Sequence, residues 1–274
     1  MNSADRDYRG VRLTTRSHLT PLVSQPACNA PGEEARPPLD LRVNWLGRVG
    51  FAEALDSQET IVAMKRANPS HPDQVLLLEH DPVYTIGRTP DQSSLRGAAH
   101  LPHPVFPINR GGQATYHGPG QLMCYPIIDL RNYGQDLHRY LRWLEALIIE
   151  LLAGYGIEAG RREGLTGVWV QGRQPGRRVG AENSVGQSGS DRQSGSDRKI
   201  ASIGVGVRHW ITMHGFALNV AGDLSPFGHI TPCGIAGVAI TSIEKELGRT
   251  LSLIDVGADF EKLVLRRIHD LRAG

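Results

Sequence analysis

Lysine is scarce in this chain. Of the 30 basic residues among its 274, only Lys65, Lys199, Lys245 and Lys262 are lysines, and the rest are arginines. A guanidinium stays protonated in a protein whereas an amine can give up its proton, so each lysine in so Arg-biased a chain is worth weighing as a proton-exchanging group. Cysteine is scarce too: Cys28, Cys124 and Cys233 are odd in number and far apart. That pattern offers neither a disulfide framework nor a zinc-site spacing, and a reducing, cytoplasmic setting is expected. There is no long apolar run. The longest, ALIIELLAGYGI (146–157), is too short and too glycine-broken to span a bilayer. Charge of either sign is not in excess, and a formal net charge of +2 gives no electrostatic reason to wrap nucleic acid. The opening MNSADRDYRGVRLTTR has no apolar core of the kind a secretory leader needs, so none is expected. Neither GxGxxG after a strand nor GxxxxGK[ST] occurs, which removes the two commonest phosphate cradles.

A 40% hydrophobic content can fill one good-sized core, or at most two small ones. Residues 1–38 carry Pro, Arg, Ser and Glu without period and read as a disordered tail, ahead of an ordered domain over 39–274. LRVNWLGRV (41–49) alternates as a strand does. FAEALDSQETIVAMKRAN (51–68) puts Phe51, Leu55 and Val62 on one helical face, and Asn68-Pro69 stops it. QVLLLEH (74–80), VFPINRGG (105–112), LTGVWVQG (165–172), KIASIGVGV (199–207) and WITMHGFALNV (210–220) read as strands. QLMCYPIIDL (121–130) is another, and Pro126 argues that it lies near a sheet edge or end. Residues 136–153 form the clearest helix, with Asp136 as N-cap, a stripe from Leu137 to Leu152, and Gly154 and Gly156 beyond. A last amphipathic helix is expected from about Val256. Residues 173–198 are Gly, Ser, Arg, Asp and Gln, including QSGSDR written twice, and read as a solvated, disordered insert. Strands dominate both halves and helices fall singly between them. An α+β (mixed α/β) fold follows, a central sheet with helices packed on it.

Two segments are dense in groups that can do chemistry. RGGQATYHGPGQ (110–121) threads Arg, Thr, Tyr, His and Gln between glycines and prolines, so backbone can approach a ligand closely; as composition it is equally a glycine-rich turn. SPFGHITPCGIAG (225–237) holds Cys233 between Pro and Gly on a loop. A lone cysteine is more often a small buried hydrophobe, and Cys124, inside an apolar strand, fits that description far better. A nucleophilic thiol needs a nearby base or cation, and His117, His214, His229 and Lys199 are the candidates.

Taken together these segments resemble the lipoyl(octanoyl) transferase family. LLLEHDPVYTIGR (76–88), RGGQATYHGPGQLMCYPI, KIASIGVGVRHWITMHGFALNV and DLSPFGHITPCGIAGVAITSI match its motifs in order, through most of residues 40–250. The resemblance implies the fold shared with biotin- and lipoate-protein ligases. It implies an acyltransferase that moves octanoyl or lipoyl from acyl carrier protein to a lysine of lipoyl domains, those of 2-oxoacid dehydrogenase E2 subunits and the glycine cleavage H protein. Cys233 matches the family's acyl-accepting nucleophile and Lys199 its dyad lysine. Substrate contacts are implied for Arg110, Gly111, Gly112, Gln113, Ala114, Thr115, Tyr116 and His117, for Ser202, Ile203 and Gly204, and for Gly215, Phe216 and Ala217. No cofactor and no metal are implied, and a monomer is expected. The long insert before Lys199 departs from the pattern and leaves open how that lysine is anchored. Two other functions compete: an ATP-using lipoate- or biotin-protein ligase of the same fold, and a non-enzymatic acyl-binding module.

Overall fold

A computed structural model describes residues 40–172, 197–235 and 237–272. The expected tail, Cys28 and all but the last two residues of the expected insert lie outside them. Alternation and β-branched content produce the strands β1 (Leu41–Val49), β2 (Asp73–His80), β3 (Val83–Ile86), β4 (Val105–Pro107), β5 (Thr115–His117), β6 (Gln121–Ile127), β7 (Ala159–Arg162), β8 (Leu165–Val170), β9 (Arg198–Arg208), β10 (Ile211–Asn219) and β11 (Ala239–Ile240). The helices are α1 (Phe51–Ala67), α2 (Leu137–Gly154), α3 (Ile243–Leu247) and α4 (Leu253–Arg267). The main sheet runs β1-β2-β6-β10-β9-β8-β7, with β11 added to β9, and a small sheet runs β4-β3-β5. β1 is parallel to β2, whereas β6, β10, β9, β8 and β7 follow antiparallel to their neighbours. This is the expected mixed sheet.

The two faces of the main sheet are sorted by the period of two along each strand. Val75, Leu77, Leu122 and Cys124 face α2 and α4 in the larger core, while Leu76, Leu78, Met123 and Tyr125 face α1 on the other side. α2 is fixed by its N-cap, Asp136, whose carboxylate accepts the Arg139 N–H at 3.0 Å. Its Leu144, Leu147, Ile148, Leu151 and Leu152 are buried, each side chain contributing about 1.5–3 kcal/mol.

Two expectations are corrected. The strand holding Pro126 is central, between β2 and β10, not near an edge. Pro126 is tolerated because the β10 ladder stops at Cys124, so the missing N–H falls where Thr212 Oγ1 takes over, donating to Pro126 O (2.7 Å) and accepting from Ile128 N (2.9 Å). Two elements also begin earlier than expected. Asp197 and Arg198 are described, β9 begins at Arg198, and α4 begins at Leu253, capped by Ser252.

Candidate active site

Lys199 and Cys233 lie 34 residues apart and meet directly: Lys199 Nζ donates to Cys233 Sγ at 2.7 Å. Cys233 occupies the 3₁₀ turn Pro232–Gly234 with φ 57° and ψ 17°, left-handed values that a non-glycine residue rarely takes. Surrounding bonds impose that conformation. Thr231 N donates to Ser94 O (2.7 Å), Cys233 N to Ala114 O (3.2 Å) and Gly234 N to Thr231 O (2.9 Å). Arg96 Nε adds a bond to Thr231 Oγ1 (3.0 Å). Ser94 and Arg96 were not singled out in the sequence, since nothing in a short polar loop signals that it anchors a turn far along the chain.

Lys199 sits on β9 with its side chain only 2% exposed. Its Nζ lies 5.2 Å from the centroid of the Trp169 ring and 3.4 Å from Thr166 O. Gly167 makes this possible. A Cβ there would come within 2.9 Å of Lys199 Cε and 2.8 Å of Ala201 O, and its φ of +131° also favours glycine. Gly167 N in turn donates to the buried Glu145 Oε1 on α2 (3.2 Å), whose other oxygen accepts from Arg142 and Arg161. The residue before Lys199 is held as firmly: Arg198 forks onto both oxygens of Glu246, at 2.8 and 2.9 Å.

The dyad opens onto a cavity of about 400 Å³. Of the residues implied by resemblance, Arg110, Gly111, Gly112, Gln113, Thr115, His117, Ser202, Ile203, Gly204, Gly215, Phe216 and Ala217 line it together with Cys233 and Lys199. Ala114 and Tyr116 do not. The alternation of β5 sends them into a separate cluster with Tyr84, Leu224 and Phe227, and Ala114 serves the site through its carbonyl. Phe51, Met123, Leu137, Leu141 and Ile235 supply apolar wall. The glycine-rich segment is pressed against the end of β3: a Cβ on Gly87 would stand 2.2 Å from Gly112 O, so only glycine fits the close of the LLLEHDPVYTIGR motif.

The histidines weighed as bases are placed differently. His214 lines the cavity from a left-handed position in β10 (φ 57°), where Gln58 of α1 accepts its N–H at 2.7 Å. Burial, helped by nearby Arg110 and Arg208, brings it down to about 4. His117 is more deeply buried, and desolvation with His80 and Arg110 nearby holds it well below the ordinary range. Both are neutral at pH 7. His229 is exposed on the turn Ser225–His229 and does not line the cavity. Lys199 is the one candidate helper bonded to the thiol.

With this geometry in place, the relatives are informative. Residues 51–263 match the family described as the lipoyl protein ligase A/B catalytic domain. An octanoyltransferase of Citrifermentans bemidjiense is 46% identical over 206 residues, 75% of this chain and 86% of the relative. The chain belongs to the lipoyl protein ligase A/B family. Within it an octanoyltransferase of Synechococcus elongatus is 43% identical over 75% of this chain and 79% of its own length. The chain is accordingly an acyltransferase. Among solved structures, the bipartite lipoate protein ligase of Thermoplasma acidophilum superposes with a TM-score of 0.58 at 15% identity, covering 85% of each chain. A lipoate-protein ligase A bound with ATP gives 0.54 at 15% identity, covering 84% of this chain and 86% of its own. These two share the fold, as the resemblance implied.

Proposed function

We propose that the chain transfers an octanoyl group from the thioester of an acyl carrier protein to the ε-amine of a lysine on lipoyl domains, through an octanoyl thioester on Cys233. The observation that carries this is the bond between Lys199 Nζ and Cys233 Sγ at the wall of a cavity with apolar lining. As thiolate, beside the Lys199 ammonium, Cys233 attacks the thioester carbonyl carbon. The new S–C bond forms, the donor's C–S bond breaks, and the departing pantetheine thiolate takes a proton from Lys199. The acceptor amine then attacks as the neutral base. The amide forms, Cys233 leaves as thiolate, and Lys199 recovers a proton from the attacking nitrogen. Apolar wall accepts the acyl chain, each buried methylene gaining about 0.8 kcal/mol.

A thioester already carries the energy an amide bond needs, so the reaction runs without nucleotide. That separates it from an ATP-using ligase on the same fold, which has no use for an acylated cysteine. Domains of 2-oxoacid dehydrogenase E2 subunits and the glycine cleavage H protein are the acceptors this chemistry fits, in a reducing cytoplasm that keeps the thiol free. Purified chain, octanoyl-acyl carrier protein and an unmodified lipoyl domain, mixed without ATP, should give the octanoylated domain. Transfer from free octanoate only when ATP is added would sink the proposal in favour of the ligase.

A further inference from the structure

Arg110 is a buried cation without a buried anion. The residue is 6% exposed and lines the same cavity as Cys233. Its hydrogen bonds run to neutral oxygens: Nη1 donates to Gly111 O (2.9 Å), and Nη2 to Thr85 O (3.1 Å), Thr85 Oγ1 (2.9 Å) and Gln113 O (3.0 Å). It forms no ion pair with a carboxylate among the described residues. A buried charge left in that state is costly unless something in its surroundings carries the opposite sign.

The chain has built a support for it. Thr85 Oγ1, having accepted from Arg110, passes its own hydrogen to His117 Nε2 (3.3 Å). His117 Nδ1–H then donates to Gln121 Oε1 (3.3 Å), and Gln121 Nε2 donates to Tyr116 O (3.2 Å). These directions hold for a neutral His117, the state its burial enforces. Gly204 leaves room for the stem, since a Cβ there would lie 2.8 Å from Arg110 Cδ. The peptide after Gln113 then joins the two groups: Gln113 O holds the guanidinium, and Ala114 O holds the N–H of Cys233. The polar residues of RGGQATYHGPGQ thus hold one cation on the wall of the cavity that Cys233 also lines, near enough for the two groups to interact electrostatically.

We propose that Arg110 is the permanent cation of the site, a positioning residue that stabilises the Cys233 thiolate and the anionic adduct while Lys199 exchanges the proton. This deepens the octanoyl-transfer reading and rests on Cys233 as nucleophile. Lys199 is neutral between the two half-reactions, when the second adduct forms, and a cation that never exchanges is then needed. Burial brings Arg110 down only to about 10, so it is charged throughout at pH 7. The other titratable groups lining the cavity are Arg88, which is exposed, the neutral His117 and His214, Tyr125, and Lys199. None of them duplicates a buried fixed charge.

The test is the rate of Cys233 alkylation by iodoacetamide across pH, followed by intact mass, with Cys233→Ala as the blank. Arg110→Met should alkylate about tenfold more slowly at pH 7, with its profile displaced about one unit upward, and should match the parent near pH 10, where any thiol ionises. A merely structural defect does not recover at high pH. Arg110→Lys should restore most of the neutral rate. Thr85→Val, which keeps the charge but removes its orienting hydroxyl, should slow alkylation about threefold and serves if the methionine variant does not fold. A profile coincident with the parent's in a folded variant overturns the proposal. Failure of the transferase reading would look different: Cys233→Ala would still carry octanoyl, whatever the Arg110 profile.

Discussion

Cys233 holds left-handed backbone that costs a non-glycine residue about 1–2 kcal/mol, and four hydrogen bonds around residues 231–234 keep it there. The strain has a local test. Cys233→Gly should abolish transfer yet raise the denaturation midpoint, equivalent to about 1 kcal/mol more unfolding free energy than Cys233→Ala. Equal midpoints for the two variants would mean that the turn stores no strain. Lys199 offers a second test at this scale. Lys199→Arg keeps a positive charge but cannot exchange its proton, so transfer should fall by about a hundredfold or more. Turnover near the parent's would reduce the lysine to a fixed cation. Rarity of lysine and a position between breakers made both residues candidates, and the resemblance to the transferase family singled them out as a pair. From the residues alone their contact was not legible, since nothing local ties position 199 to position 233; only the resemblance implied it.

At the scale of elements, the site depends on how β8, β9 and α2 are held together. Lys199 follows directly on the long insert, yet its strand is gripped on both sides. Arg198 is clamped to Glu246 beyond β11, Thr241 N donates to Lys199 O (3.0 Å), and Trp169 covers the ammonium. Gly167→Ala should therefore cost both stability and transfer, because its Cβ meets backbone at Ala201 and the stem of Lys199. A loss of about 2 kcal/mol in chemical denaturation is expected. A variant with unchanged stability and unchanged turnover would show that β8 can yield. The strands and helices themselves were legible, because period-two and period-3.6 patterns are local. The partners that stiffen them were not. Glu145 reads as one more charge on a helix, and only the fold brings it to Gly167. Pro126 misled for a related reason: a proline looks like an edge until a threonine on the neighbouring strand supplies the missing bonds.

For the whole molecule, burial of neutral histidines links the fold to pH. His80, His117 and His214 are all pulled below the ordinary value, chiefly by desolvation, and His214 reaches about 4. The unfolded chain takes up protons near 6.5 while the folded chain refuses them. Stability is therefore full above about 6.5 and is lost as the pH falls toward 4. For His214 alone the loss is on the order of 3 kcal/mol. Thermal melts between pH 7 and pH 4.5 should show a steady fall in Tm, and a flat profile would contradict the burial. The arrangement as a whole, a mixed sheet carrying a cysteine and a lysine to one cavity, is what the proposed acyl-enzyme step requires. That step is measured most directly by mixing the chain with octanoyl-acyl carrier protein, omitting the acceptor, and recording intact mass. One octanoyl group should appear on the parent, map to Cys233 and be absent from Cys233→Ala. An unmodified parent, or an undiminished adduct in the alanine variant, would contradict the account.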